Sequence, residues 1–299
     1  MISEQTLIDV FRQHAKPLEA IPTGQEPSLP KLEGIKAVIF DIYGTLFISG
    51  SGDIGVAKET ARANAFFEAL EACGFSISES GKAIDGFGLL LAAIKDFHAE
   101  RKAEGIQYPE VEIFSIWKGL IDTLISEDKI SGDAGQANIE KLAVEYEIRV
   151  NPVWPMPGVD KALRQLADAG YKLGIVSNAQ AFTPLLFDSL LETSLASYGF
   201  DESIQTYSFA ELEAKPSTAI YSKTLEAAEA RFGIAPQECL YVGNDMLNDI
   251  TPSAQTGFKT CLFAGDKRSL RLREDDERVH GIIPDSIITG LDQLPGLLS

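Results

Sequence analysis

The sequence predicts an α/β protein, namely a Rossmann-like, doubly wound parallel sheet with an all-helical cap domain inserted after the first strand. From residue 36 onward, short β-branched runs end in polar residues, and helical periods separate these runs. Near-continuous apolar strands joined by helices are typical of a parallel sheet covered on both faces. The cap is predicted because about 130 residues separate the first and second strands, far too many for one crossover.

Residues 1–34 precede this pattern and form a predicted N-terminal arm. A short amphipathic helix pattern (Leu7, Val10, Phe11) opens the arm, and a connector with four prolines follows it. We expect the arm to pack on the surface, and its residues suggest no chemistry.

The core domain is assigned to residues 35–52 and 150–299. Its five predicted strands are the short apolar runs at residues 36–40, 171–177, 203–208, 239–243 and 259–265. Helices are expected at about 158–169 and 217–232, before the second and fourth of these strands. In parallel sheets of this kind, ligands bind beyond the carboxyl ends of the strands. The polar residues that end the runs are therefore the candidates for function.

The cap domain is assigned to residues 53–149. Residues 56–149 show no convincing strand, and four helical patterns fill them. An insertion directly after the first strand is a candidate lid over the strand ends. The stretch FISGSGD, residues 47–53, reads as a flexible passage from core to cap because its residues are mostly small.

Composition narrows the class of partner and the expected location. The formal net charge of −18 disfavours nucleic acid and anionic membranes as partners, and a small anionic substrate is expected instead. No run approaches the length of a membrane span, and the N-terminus lacks a signal-like apolar segment. Three widely spaced cysteines suit a reducing compartment, so a cytoplasmic location is expected. The oligomeric state is not readable from the sequence.

Four polar features fall at the ends of the predicted core strands or just before them. They are Asp41, the pair Ser177 and Asn178, Lys215 before Pro216, and the acids Asp245 and Asp249. Each one alone is explained as well by a helix cap, a turn or a solvated side chain. Their order and spacing together indicate one site.

These residue types suit covalent catalysis. A carboxylate at a strand tip can attack an electrophilic phosphorus or carbon. Further carboxylates would bind Mg²⁺, which prefers oxygen ligands and would let an anionic substrate approach an anionic nucleophile. A serine, nearby backbone N–H groups and a lysine would stabilise the transferring group, and the lysine would help to keep Asp41 ionised.

The chain resembles the haloacid dehalogenase-like hydrolase superfamily. The motifs that carry this resemblance are VIFDIYGTL, GIVSN, AKP and YVGNDMLNDITPSAQTG, in this order across residues 36 to about 265. The helical insertion lies where the superfamily places a helical cap. Only 37 residues separate Ser177 from Lys215, which leaves no room for the alternative cap position.

The resemblance assigns a role to each motif residue. It implies that Asp41 is the nucleophile, that Ser177 holds the transferring group and that Lys215 orients it and balances charge. The implied substrate-binding residues are Tyr43, Thr45 and Asn178, and the implied Mg²⁺ ligands are Asp41, the Tyr43 backbone carbonyl, Asp245 and Asp249. Asn244 leaves the register of the fourth motif open. We favour Asp245 as the ligand because magnesium prefers a carboxylate to an amide.

Tyr43 departs from the phosphatase pattern, in which a second aspartate at this place acts as acid and base. A phenol with a pKa near 10 is poorly matched to that work at neutral pH. The dehalogenase branch uses a tyrosine here. Tyr221, six residues after Lys215, is a second feature in which this chain resembles that branch. Dehalogenases, however, lack the metal-binding acid pair and need a cap arginine, for which Arg62 and Arg101 are available.

Three hypotheses therefore remain open. The leading one is Mg²⁺-dependent hydrolysis of a small phosphorylated metabolite, favoured by the acid pair Asp245 and Asp249. The second is metal-independent dehalogenation of a short 2-haloacid by the same Asp41. The third is a degenerate, non-catalytic protein that binds a ligand or partner.

Overall fold

The computed structural model describes residues 2–50 and 56–298, and within these ranges it contains ten strands. They are β1 Ala37–Phe40, β2 Phe47–Ser49, β3 Ser76–Ile77, β4 Ile130–Ser131, β5 Val153–Pro155, β6 Lys172–Ser177, β7 Phe200–Tyr207, β8 Cys239–Gly243, β9 Lys259–Phe263 and β10 Ser286–Ile288.

Eleven α-helices lie in the same ranges: α1 Glu4–His14, α2 Val56–Ala72, α3 Gly86–Ala103, α4 Ile113–Ser126, α5 Gln136–Val150, α6 Val159–Asp168, α7 Leu185–Leu190, α8 Ser208–Glu211, α9 Ala219–Phe232, α10 Thr251–Thr256 and α11 Leu294–Leu297. A π-helical turn, Met246–Ile250, leads into α10. None of the helices in the described part of the chain is long and apolar enough to cross a membrane.

The core is a six-stranded sheet in the order β10-β9-β8-β1-β6-β7, and every neighbouring pair is parallel. Successive side chains of β1 enter opposite cores: Val38 and Phe40 pack on one face, and Ala37 and Ile39 pack on the other. Burial on both faces explains why the run is continuously apolar. The predicted doubly wound α/β fold is confirmed.

The strand predictions differ from the structure mainly at their ends. Strand β7 begins at Phe200 rather than residue 203, and β9 ends at Phe263 rather than residue 265. The sixth strand, β10, was missed because it has three residues, too few to show a period.

The predicted absence of strands from residues 56–149 is wrong. Helices α2 to α5 fill most of this region, but β3 and β4 form an antiparallel pair in which Ser76 lies opposite Ser131 and Ile77 opposite Ile130. Two-residue strands carry no readable alternation, so only the fold could reveal the pair.

The passage from core to cap is also more ordered than predicted over residues 47–49. These residues form β2, which pairs antiparallel with β5 as the chain returns to the core. The Ser49 hydroxyl donates to Asn151 Oδ1 at 2.8 Å beside this pair. The remainder of the predicted passage, residues 51–53, lies outside the described residues, as does the predicted domain boundary at 52–53.

The helix of the N-terminal arm contributes one face to the packed interior, whereas the connector after it lies at the surface. Ser3 caps α1, and Leu7, Val10 and Phe11 are buried in the main core cluster. The helix packs against both α5 of the inserted region and α7 of the core. The connector that follows is tied to the sheet by a bridge between Ser28 and Ile287. The arm therefore joins the two regions.

We expect Phe11→Ala to lower the free energy of unfolding by about 3–5 kcal/mol, the usual cost of deleting a buried aromatic ring. Phe11 is 1% exposed, and its ring lies 6.2 Å from that of Phe182. Urea denaturation followed by circular dichroism measures the change. Asp9→Ala on the exposed face of the same helix is the control, with an expected effect within about 0.5 kcal/mol. Equal effects of the two variants would contradict the packing role of the helix.

Candidate active site

Asp41 lies at the carboxyl end of β1, where its backbone N–H donates to Val242 O of the neighbouring strand. The carboxylate is 6% exposed, and its Oδ1 accepts hydrogen bonds from Ser177 Oγ at 2.8 Å and Lys215 Nζ at 2.7 Å. Its Oδ2 accepts none from the described residues. One oxygen is therefore held in place, and the other is left for an incoming ligand.

Lys215, in the turn before α9, links two buried carboxylates. Its Nζ donates to Asp41 Oδ1 and, at 2.6 Å, to Asp249 Oδ1. Burial lowers the pKa of the Lys215 ammonium, but the charges of Asp249 and Asp41 outweigh burial and raise that pKa above its usual value. Lys215 is thus a fixed cation at neutral pH.

Asn178 positions this lysine. The Lys215 backbone N–H donates to Asn178 Oδ1 at 2.7 Å, and Asn178 Nδ2 donates back to the Lys215 carbonyl at 3.4 Å. The predicted substrate-binding amide is therefore already paired with protein backbone. Asn178 still lines the cavity above the site, so substrate contact through its remaining surface stays a prediction.

Asp249 is buried and fully hydrogen-bonded. Its Oδ1 accepts from Lys215 and from the Tyr241 hydroxyl at 3.1 Å, and its Oδ2 accepts from the Asp245 backbone N–H at 2.9 Å. Burial raises the pKa of Asp249 to about 6 despite the Lys215 charge. A side chain at Gly243 would lie 2.5 Å from the Asp249 carboxyl carbon, so glycine is required there.

Asp245, predicted to bind Mg²⁺, pairs with Arg273 instead. Arg273 donates to both of its carboxylate oxygens, at 3.2 Å from Nε and 2.6 Å from Nη2. The backbone N–H groups of Leu247 and Asn248 donate to Oδ1 as well, so Asp245 also caps the π-helical turn. Its lone pairs are occupied, which argues against Asp245 as a magnesium ligand.

Asn244 and Thr45 hold the loop after β1. The Thr45 hydroxyl donates to Asn244 Oδ1 at 3.0 Å, and Asn244 Nδ2 donates to Ser269 O at 2.7 Å. Gly44 lies between them with φ +85°, and a Cβ there would lie 2.8 Å from Asn244 Nδ2. Thr45 is predicted to bind substrate, but its hydroxyl already donates its proton to Asn244.

The donor set does not fit the predicted magnesium site. Of its three carboxylates, Asp245 is neutralised by Arg273, and both oxygens of Asp249 are occupied, one of them by Lys215. Asp41 is left with one free anionic oxygen. The Tyr43 backbone carbonyl could add a second metal ligand, but that ligand is neutral. Within residues 2–50 and 56–298, no three His, Cys, Asp or Glu side chains are grouped so as to hold a metal.

Tyr43 is held as a protonated phenol. Its hydroxyl lies 3.1 Å from Thr183 Oγ1. Burial, and next the charge of Glu147, raise the pKa of this hydroxyl far above its usual value of 10. A phenol whose pKa is raised in this way is poorly matched to proton exchange with a leaving group near neutral pH.

Tyr43→Phe should therefore leave kcat within about threefold of the wild type, because the missing hydroxyl transfers no proton. The measurement is steady-state turnover with the substrate that the assays below identify. Thr183→Val, which removes the other side of the same hydrogen bond, is the matched control. A loss of 100-fold or more in kcat, confined to Tyr43→Phe, would show that the phenol takes part in chemistry.

Two cavities lie between the core and the inserted helices, and the first of them reaches Tyr43 and Asn178 of the candidate site. The first, of about 260 Å³, is lined by Tyr43, Glu110, Glu147, Asn151, Asn178 and Gln180 among others. The second, of about 350 Å³, contains Arg62. The other cap arginine considered above, Arg101, instead pairs with Glu104, the residue that follows α3. Tyr221, the remaining dehalogenase-like feature, is buried and donates to Asn248 O.

Several site residues could not be found from the sequence. Arg273 and Thr183 lie in irregular segments, and Glu147 is one acid among several on α5. Tyr241 could have been predicted from the sequence. It is a hydroxyl-bearing residue within an otherwise apolar buried strand, and a buried tyrosine hydroxyl needs a hydrogen-bond partner.

The fold and site define a protein of the α/β class with its candidate nucleophile at the carboxyl edge of a parallel sheet and a helical region above it. The chain belongs to the haloacid dehalogenase-like hydrolase family, whose sequence model matches residues 35–257.

Curated relatives include phosphatases. A glyceraldehyde 3-phosphate phosphatase of Methanopyrus kandleri is 26% identical over 81% of this chain and 90% of its own length. A phosphoglycolate phosphatase of Nitrosococcus oceani is 30% identical over 48% of this chain, and the match spans 56% of that relative. Among solved structures, a 2-haloacid dehalogenase from Pseudomonas syringae aligns over 88% of this chain and 97% of its own, with a TM-score of 0.54 and 19% identity. That likeness concerns the fold.

Proposed function

We propose that this hydrolase displaces a leaving group from carbon through Asp41 without a metal ion, and that a halide on a small organic acid is the group displaced. The observation that carries the proposal is the pairing of Asp245 with Arg273. This pairing, with that of Asp249 and Lys215, leaves Asp41 as the one carboxylate of the three with a free oxygen.

The chemistry requires little beyond these residues. Asp41 Oδ2 attacks the carbon, the carbon–halogen bond breaks, and the halide leaves with the electron pair as an ester forms. Water then adds to the ester carbonyl, which restores the Asp41 carboxylate and releases a hydroxy acid and a proton. Lys215 and Ser177 hold Oδ1, where charge develops during this second step.

Halide is a leaving group that needs no proton. A halide ion is stable in water without protonation, so the raised pKa of Tyr43 does not limit its departure. An alkoxide leaving group needs an acid, and a phosphate dianion would meet the charges of Asp41 and Asp249 with Lys215 as their shared counter-ion. Arg62, which lines the adjoining cavity, adds positive charge that would favour an organic anion.

Phosphate-ester hydrolysis is the second candidate. The identity to the Methanopyrus kandleri phosphatase over most of both chains favours it. It would need a magnesium ion held by fewer carboxylates than the sequence predicted, or a rearrangement of Asp245 away from Arg273. A non-catalytic binding protein stays as the third hypothesis and predicts no turnover.

The test is one panel of assays with purified protein. 2-Chloropropionate is followed by halide release and an aryl phosphate by phosphate release, each with excess Mg²⁺ or with EDTA. We expect halide release at equal rates in both buffers and no release of phosphate. Phosphate release that EDTA abolishes would overturn the proposal in favour of the second candidate. Silence in every assay would favour the third.

A further inference from the structure

The 350 Å³ cavity is a chamber with a largely apolar wall. The helical region supplies Phe87, Leu90, Ile94, Trp117 and Ala143, and the core supplies Phe182. Arg62 also lines the chamber, with its guanidinium 5.5 Å from the centre of the Phe87 ring. Protein interiors contain few voids larger than a water molecule, whereas ligand pockets begin at about 300 Å³. The volume of this chamber therefore lies within the range of ligand pockets.

Aromatic contacts hold one side of the chamber wall. Trp117 is 1% exposed, and its ring stacks on Phe66 at 5.6 Å and meets Tyr146 edge to face at 5.3 Å. Aromatic contacts of this geometry favour defined ring positions and add to the energy of burial. The Trp117 ring is therefore a well-packed part of the wall.

The chamber adjoins the smaller cavity of the candidate site. Glu147, Gln180 and Phe182 line both this chamber and the smaller cavity that contains Tyr43 and Asn178. Burial raises the pKa of Glu147, and the hydrogen bond that Asn151 Nδ2 donates to its Oε1 at 2.9 Å acts in the opposite direction. The junction thus presents hydrogen-bonding groups, and most of the chamber wall beyond it is apolar.

We infer that this chamber binds the apolar tail of the substrate, an alkyl chain of several carbons or an aryl group, whose anionic, reacting end lies at Asp41. The inference rests on the proposed function only for the identity of the reacting end. It assigns the substrate to larger, hydrophobic organic anions rather than to the smallest haloacids or sugar phosphates. Ile94 and Ala143 are then specificity-determining residues.

Ligand binding without turnover tests this inference. Trp154→Phe leaves Trp117 as the only tryptophan, so its fluorescence reports on the chamber. The probes are two series, straight-chain carboxylates and monoalkyl phosphates, each from two to eight carbons. We expect affinity to rise about fourfold with each added methylene in at least one series, as for full burial of each group.

The two probe series separate the effect of the head group on affinity from the effect of the tail. A rise with length in the carboxylates supports both the tail and the proposed function. A rise confined to the alkyl phosphates supports the tail but counts against displacement at carbon. Affinity that does not depend on length in either series overturns the inference, whatever the halide assay gives.

A variant pair on one helix provides the control. In the same background, Ile94→Phe narrows the chamber and should weaken binding of the eight-carbon probe about tenfold while leaving the two-carbon probe unchanged. Leu89→Phe, on the same helix α3, adds the same ring at a position that is 40% exposed and does not line the chamber. If both variants bind the eight-carbon probe equally, the chamber does not hold the tail.

Discussion

Asp41→Asn should lower kcat by about 10⁴-fold or more, since removal of a catalytic nucleophile costs this much or more in other hydrolases. An amide oxygen cannot form the ester intermediate, whereas the shape of the site is preserved. Substrate affinity should change by only a few-fold. Single-turnover kinetics with the substrate identified above, and a binding titration with its product, separate the two quantities.

Asp245→Asn is the matched control for this prediction. It makes the same change from carboxylate to amide as Asp41→Asn. The Asp245 carboxylate, however, pairs with Arg273 and has no free oxygen for a ligand. We expect its kcat to stay within about tenfold of the wild type, because it contacts no reacting atom. An equal loss of kcat in Asp245→Asn and Asp41→Asn would show that Asp245 takes part in the reaction, which would contradict its pairing with Arg273.

Lys215→Met should cost about 3–5 kcal/mol of folding free energy as well as activity, because it leaves Asp41 and Asp249 buried without their shared cation. Both carboxylates are less than 9% exposed. Urea denaturation gives the change in stability. Adding Asp249→Asn to Lys215→Met removes one of the uncompensated charges and should recover part of the loss without restoring turnover.

The control for Lys215 is Lys223→Met on α9, where the lysine pairs with Glu211 at the surface. Surface pairs contribute about 0–1 kcal/mol, so this variant should be close to the wild type in stability and rate. A Lys215→Met protein as stable as Lys223→Met would mean that one of the two carboxylates is protonated in the folded state.

The core of the fold and the centre of the site could be predicted because one rule connects them. A strand that is buried on both faces is continuously apolar, and its polar terminus lies at the edge where parallel strands present reacting groups. Asp41 and Ser177 follow this rule, whereas Lys215 is predicted from the order and spacing of the motifs, and the structure brings all three together. Their catalytic roles stay predictions.

What could not be predicted depends on contacts between distant segments. The carboxylate of Asp245 is set by Arg273, which lies 28 residues away in a loop without periodicity. The burial of Phe11 depends on Phe182, which no local pattern pairs with it. Sequence spacing placed two acids near the site but could not tell which of their oxygens would be free.

The central claim, that Asp41 attacks carbon and forms an ester, is tested most directly by isotope transfer in ¹⁸O-labelled water with enzyme in excess over substrate. Water that hydrolyses the ester at its carbonyl leaves its oxygen in the Asp41 carboxylate. Mass spectrometry of the peptide containing Asp41 should therefore show one ¹⁸O atom, and the hydroxy-acid product of the first turnover should show none. Label in the product, with Asp41 unlabelled, would contradict the account.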